Sequence, residues 1–317
     1  MKTSKKSALL IASIAIIAGA AICVVALVTV GFDFVKLGTD KYVGGNIPIT
    51  EDFTEISVDT DVDVLVFAIS PDKSCSISLS EREGERHEAM VKNGQLIIKK
   101  SGIRSIFNFG INTDKSSMTL FLPRGEYAAL SIKADSCDIS IPKDFSIEQV
   151  RIQGDTGDID FYAAVRTSAE IATTTGNITA GDFIADDIIF TTDTGRIRVL
   201  RAIIGKTVSI ESDTGNVMLE DIKCPEISVE TDTGDAEFVS TVASDKFLIE
   251  TDTGDVTFKE SDANEVFIQT DTGDVSGSFL TDKVFIIETD TGNVSVPKTV
   301  TGGRCEIETN TGDIKFE

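Results

Sequence analysis

The triplet Asp-Thr-Gly can carry acid–base chemistry. Two facing copies place two carboxylates close enough to share one proton and to drive peptide hydrolysis. This chain holds seven copies, ending at Gly157, Gly195, Gly215, Gly234, Gly254, Gly273 and Gly292. Thr174-Thr175-Gly176 and Asn310-Thr311-Gly312 complete a series in which successive glycines stand 19 or 20 residues apart, the 39-residue step from Gly273 to Gly312 holding Gly292 between. Proteolysis needs one facing pair, not a column at fixed period. Each triplet is therefore read as one corner of a repeat rather than as a catalytic site.

Stacked corners would still bring carboxylates together. Asp232, Asp252, Asp271 and Asp290 share one phase, and Asp235, Asp255 and Asp274 the next. Calcium takes 6–8 oxygen ligands, so neighbouring repeats could supply several. The plainer account has each Asp capping its own turn in a solvated ladder. The short Gly-Gly-x-Gly period of calcium β-rolls is absent, and no metal or cofactor residue is assigned. Arg196, Arg198 and Arg201 form the one basic cluster of the repeat region, and Arg196 stands where other repeats carry Asp or Asn. Two readings fit: relief of charge repulsion between repeats, or a site for an acidic polysaccharide. The single histidine, His87, lies in a charged stretch read as a turn, Ser80 to Glu88, and there is no Trp. Of five cysteines, Cys23 falls in an apolar segment, while Cys75, Cys137, Cys224 and Cys305 are scattered without metal-ligand spacing. They read as buried free thiols. No catalytic residue is assigned.

The elements that hold these residues follow from the phase of the apolar positions. Five residues before the glycines stand Ile152, Ile171, Phe190, Ile210, Val229, Ile249, Ile268, Ile287 and Ile307. Two after them stand Ile159, Ile178, Ile197, Val217, Ala236, Val256, Val275, Val294 and Ile314. Further apolar columns lie seven before and four after. Spacing by two on each side of the corner is strand periodicity, and the residue types suit a pleated, half-buried surface. Each repeat reads as a strand, a tight corner with Gly at positive φ, a second strand, and a looser return that absorbs the extra residue of the 20-residue repeats. Identical corners stacked in register give an all-β, parallel β-solenoid of about ten coils over residues 128–317. Cys137 takes the glycine place in the first of them.

Residues 8–32 are almost wholly apolar, long enough to span a bilayer, with Lys2, Lys5 and Lys6 before them. The positive-inside rule then keeps residues 1–7 in the cytoplasm and sends the rest outside, with 33–50 as a linker. A cleaved signal peptide is the rival, but its apolar core is normally shorter. The net charge of −23 makes nucleic acid an unlikely partner. Residues 51–127 read as a degenerate first coil, Ile56, Val58, Val62, Val64 and Val66, followed by a β-meander cap. The cap carries the hairpin signal Asn93-Gly94 and a strand through Met118, Leu120 and Leu122.

The apolar segment, the Asp-Val-Asp-Val opening, Gly94-Gln95-Leu96-Ile97-Ile98, Leu120-Phe121-Leu122-Pro123 and the run of Thr-Gly-Asp or Thr-Gly-Asn corners together resemble the bacterial putative adhesin family, domain of unknown function 4097. The resemblance covers roughly residues 45–317. It implies a membrane-anchored extracytoplasmic solenoid of a Gram-positive bacterium, with no established activity and no functional residues to carry over. The leading expectation is a non-enzymatic surface scaffold with a protein or glycan partner. A regulatory or envelope-stress partner of other membrane proteins is the alternative, and a carbohydrate-active enzyme the third. The last coil, Cys305 to Glu317, keeps every column and then stops. It is expected to form an open end that contacts a second copy or another envelope component.

Overall fold

The computed structural model describes residues 42–101 and 115–317. The expected membrane span, its cytoplasmic flank, Cys23 and residues 33–41 of the linker lie outside the described residues; the linker expectation is corrected for the rest, because Tyr42–Ile49 is a strand paired antiparallel with Cys75–Arg82. Every regular element among the described residues is a strand.

Ten coils, named here by their corner residue, run from the Cys137 coil (strands Glu126–Ser136 and Asp138–Ile141) to the Gly312 coil (Gly303–Thr311 and Ile314–Phe316). Neighbouring coils pair in parallel with like positions opposed, for example Ile152↔Ile171 and Ile249↔Ile268. The apolar columns form one continuous core in which Ile152, Ile171, Phe190, Phe238 and Phe258 are fully buried. Identical side chains stack from coil to coil, as in the Phe238–Phe258 pair at 4.9 Å and 19°.

Three irregular points bend the coils from Gly176 to Gly254. The first is the glycine corner. The second falls six residues later, where Asp182, Arg201, Asp221, Ser240 and Glu260 all adopt left-handed φ between 48° and 62°. The third is a bulge just before the long strand. Coil-to-coil register slips there, as between Ala185↔Ile204 and Asp187↔Thr207, so the 19- and 20-residue repeats differ at this bend.

The glycine corner works by closeness rather than by a shared positive φ. A Cβ at Gly254 would lie 2.0 Å from the Gly234 carbonyl oxygen, and one at Gly273 would lie 1.9 Å from that of Gly254. Gly157, Gly176, Gly195 and Gly215 have φ from 128° to 156°, whereas Gly234, Gly254 and Gly273 are not among the positive-φ glycines. Every corner glycine but that of the outermost coil donates its N–H to the carbonyl of the Thr before the next coil's corner, as Gly254 to Thr272 at 3.0 Å.

The first coil comprises Glu55–Thr60 and Val64–Ile69 and stacks on the Cys137 coil. Its apolar phase flips at the corner. Asp63 takes the glycine position, so Leu65 and Phe67 are buried while Val64 and Val66 are only half-buried. The straight alternation through Val62, Val64 and Val66 is corrected accordingly. On its other side the first coil pairs in parallel with Gln95–Ser101 and Ser117–Leu122. Antiparallel strands Tyr42–Ile49, Cys75–Arg82 and Arg86–Lys92 complete the cover. The Asn93-Gly94 hairpin turn has φ of 53° and 78°.

At the far end, sequence order and spatial order part. The Gly273 coil (Glu265–Thr272 and Val275–Phe279) pairs with the Gly312 coil, which in turn pairs with the Gly292 coil (Lys283–Thr291 and Val294–Ser295). The last coil is therefore inserted between the two before it, and the expectation that it forms the open end is corrected. Its core residues Cys305, Ile307, Ile314 and Phe316 are buried. The outermost Gly292 coil leaves Phe285 and Ile287 half-covered and Ile286 and Val294 exposed. Sequence accounts for the order in part. Phe316 stacks on Phe279 at 4.8 Å and 7°. Pro297, which has no N–H to donate, suits an edge better than an interior coil. Lys283 crosses from one level to the next, and its buried ammonium meets Asp262 and the Thr281 hydroxyl.

Candidate functional site

Four groups of residues could carry chemistry. The corner carboxylates are the most numerous. Except in the outermost coil, each Asp or Asn after a corner turns its side-chain oxygen toward the next coil and accepts that coil's main-chain N–H. Asp158 accepts from Asn177 at 2.8 Å, Asp255 from Asp274 at 2.8 Å, and Asp274 from Asp313 at 2.7 Å. The caps therefore act between coils, not within one turn. An oxygen already accepting an N–H is a poor start for a cation cage. Among the described residues no group of three His, Cys, Asp or Glu is placed to hold a metal ion.

The first Thr of the repeated phrase forms a second, inward column. Thr192, Ser212 and Thr231 are buried, and their hydroxyls donate to the carbonyls of Gly176, Gly195 and Gly215 one coil back. The sequence reading assigned this column no role.

The third group lies in the cap. His87 is not in an exposed turn but buried in the strand Arg86–Lys92. Its Nδ1 lies 2.6 Å from a Glu81 oxygen and its Nε2 2.9 Å from the Thr60 hydroxyl. A hydroxyl, an imidazole and a carboxylate in this order match the arrangement of a nucleophilic triad. Thr60, however, has no exposed surface, so no substrate reaches its oxygen. The group ties the first coil to its cover. Its signal in the sequence was faint, because Thr60 and His87 are 27 positions apart.

The fourth group is the arginine cluster, and the structure divides it. Arg201 forms a two-pronged pair with Asp182 one coil back, at 2.6 and 3.0 Å, which holds the Asp182 carboxyl below its ordinary range. Arg198 pairs with Glu220 at 3.0 Å. Both pairs join opposite charges across neighbouring coils. Arg196 is exposed and makes no ion pair among the described residues. It borders a shallow recess of about 280 Å³ with Arg198, Asn216, Met218, Asp235 and Glu237. Cys75, Cys137, Cys224 and Cys305 are buried free thiols. Burial pushes Cys137 and Cys305 up to about 12, so neither is a nucleophile at neutral pH.

Known proteins agree with this architecture. A putative adhesin from Parabacteroides distasonis ATCC 8503 superposes with a TM-score of 0.50 at 15% identity, covering 87% of this chain and 98% of that one. A putative adhesin from Bacteroides fragilis NCTC 9343 gives 0.44 at 12% identity, over 87% and 97%. At 15% identity the Parabacteroides distasonis likeness speaks to the fold alone. No curated protein matches the chain in sequence. The Toastrack family, DUF4097, matches residues 53–245 and 202–317. These spans cover nearly all of the solenoid and its cap, and the chain belongs to the Toastrack DUF4097 family.

Proposed function

We propose that this chain is a non-enzymatic, adhesin-like binding scaffold, held at the outer face of a bacterial membrane by residues 8–32. One observation carries the reading: the coils repeat the same register and the same filled core, and present long columns of exposed side chains along the stack. Such a surface suits recognition by repeated contact. The triad-like group that could argue for hydrolysis is closed to substrate. The protein of the same fold from Parabacteroides distasonis is called a putative adhesin, which agrees with the reading. The expected topology follows from Lys2, Lys5 and Lys6 ahead of the span.

The test has two arms. Protease added to intact protoplasts should remove residues 45–317, and their protection would overturn the orientation. Cells displaying the full chain should bind a subset of a glycan array or a host-cell surface that cells without it do not. Equal binding by both would remove the adhesin reading.

A further inference from the structure

The corner column links every pair of adjacent coils except one. From the Cys137 coil to the Gly292 coil, eight main-chain N–H groups donate to the Asp or Asn oxygen of the coil before, at 2.7 to 3.3 Å. The missing link is at Asn216. The residue one coil back is Arg196, whose guanidinium has only donors and cannot accept. The Asn216 N–H thus meets no protein acceptor among the described residues. Beside it, Arg198 Nε is buried and likewise without an acceptor. Arg196, Arg198 and Asn216 border the same recess. The exposed Arg196 guanidinium and the Asn216 N–H therefore border the place where every other coil has a side-chain oxygen, and the outer part of the Arg198 guanidinium, held by Glu220 at 3.0 Å, lies beside them.

We propose that this recess binds the carboxylate of a sugar acid, a uronate-type unit of a glycan. One carboxylate oxygen would take the Asn216 N–H as an Asp oxygen does elsewhere, and the other would meet Arg196 and Arg198 as a charge-assisted pair. The same lining holds Asp235 and Glu237, whose carboxylate oxygens can accept sugar hydroxyls, and the apolar Met218. Two carboxylates at the recess and a net charge of −23 exclude a densely charged polyanion. A single acidic group among hydroxyls is what the site fits. The assignment rests on the binding-scaffold reading and gives it a ligand class.

The test uses the full-length chain in detergent, titrated with glucuronate, glucose, acetate and phosphate. Glucuronate should bind, with glucose about tenfold weaker or worse, as the loss of a charged hydrogen-bonding group demands. Arg196→Asn restores an acceptor to the column. It should raise Tm, which shows that it folds, and weaken glucuronate about tenfold or more. Unchanged glucuronate affinity in Arg196→Asn would overturn the site. Acetate or phosphate binding as tightly as glucuronate would overturn the sugar-acid assignment. If cells bearing Arg196→Asn keep full glycan adhesion, the site fails and the scaffold reading stands. If glucuronate binding is lost in the variant while displaying cells adhere to nothing, the scaffold reading fails and the site stands.

Discussion

At Gly254 the side chain is absent because the neighbouring coil is too close. The repeat makes the glycines legible, but the positive φ expected of all of them is a cause that local pattern cannot test. Proximity between residues 20 positions apart is a tertiary fact, visible only once the coils are stacked. The consequence is specific. Gly254→Ala would put a Cβ 2.0 Å from a main-chain oxygen that cannot turn aside. It should destabilise by about 3 kcal/mol, in the range of overpacking. Thr257→Val, on the half-exposed outer side of the next strand, should shift the denaturation midpoint little. Equal losses from the two changes in urea melts would refute the close-contact account. The second bend gives the opposite sign. Glu260 holds φ of 49°, a left-handed conformation that costs a non-glycine residue about 1 kcal/mol. Glu260→Gly should therefore stabilise by up to about 1 kcal/mol, offset in part by the freer unfolded chain.

At the scale of the coil, strand periodicity, corner phase and length were all readable, and the order of stacking was not. The reason is degeneracy. The Gly292 and Gly312 coils present the same columns, so either can pair with the Gly273 coil without changing which side chains face the core. What separates them is small and non-local: Phe316 upon Phe279, Pro297 at an edge, and Lys283 set against Asp262 across the crossing. The His87 cluster was missed for the same kind of reason, since its members meet only when the cap folds over the first coil. The inserted order makes a direct prediction. Asp271 lies beside Asn310, whose amide donates to it at 3.1 Å. Cysteines at 271 and 310 should form a disulfide readily, as adjacent parallel strands bring Cα atoms within bridging range. Cysteines at 271 and 290 should not, because a whole coil lies between them. Bridging of the second pair rather than the first would restore the sequential order.

For the whole molecule, the dominant quantity is charge. The sequence states the net value, −23, but not where like charges meet. The structure stacks Glu211, Glu230 and Glu250 on successive coils, directly opposed in the parallel ladder. Desolvation, followed by repulsion from Glu211, Glu250, Asp232 and Asp252, raises Glu230 above its ordinary 4.5. The sign follows from linkage. A carboxyl with a raised folded value binds its proton more tightly when folded, so its ionisation opposes folding at neutral pH. That penalty is relieved as pH falls through the raised value, and it is gone below 4.5. Glu230→Gln should therefore raise Tm at pH 7, and the gain over the parent chain should shrink on acidification and vanish near pH 4. Added salt should reduce the gain too, since the column is exposed and within about one Debye length of its neighbours. Calcium and magnesium should act on the parent chain alike and modestly, because they screen this column rather than fill a cage. A Tm gain from Glu230→Gln that persists unchanged to pH 4 would show that it comes from packing and not from relieved repulsion. A large rise with calcium alone would mean that the carboxylate columns form a true binding site.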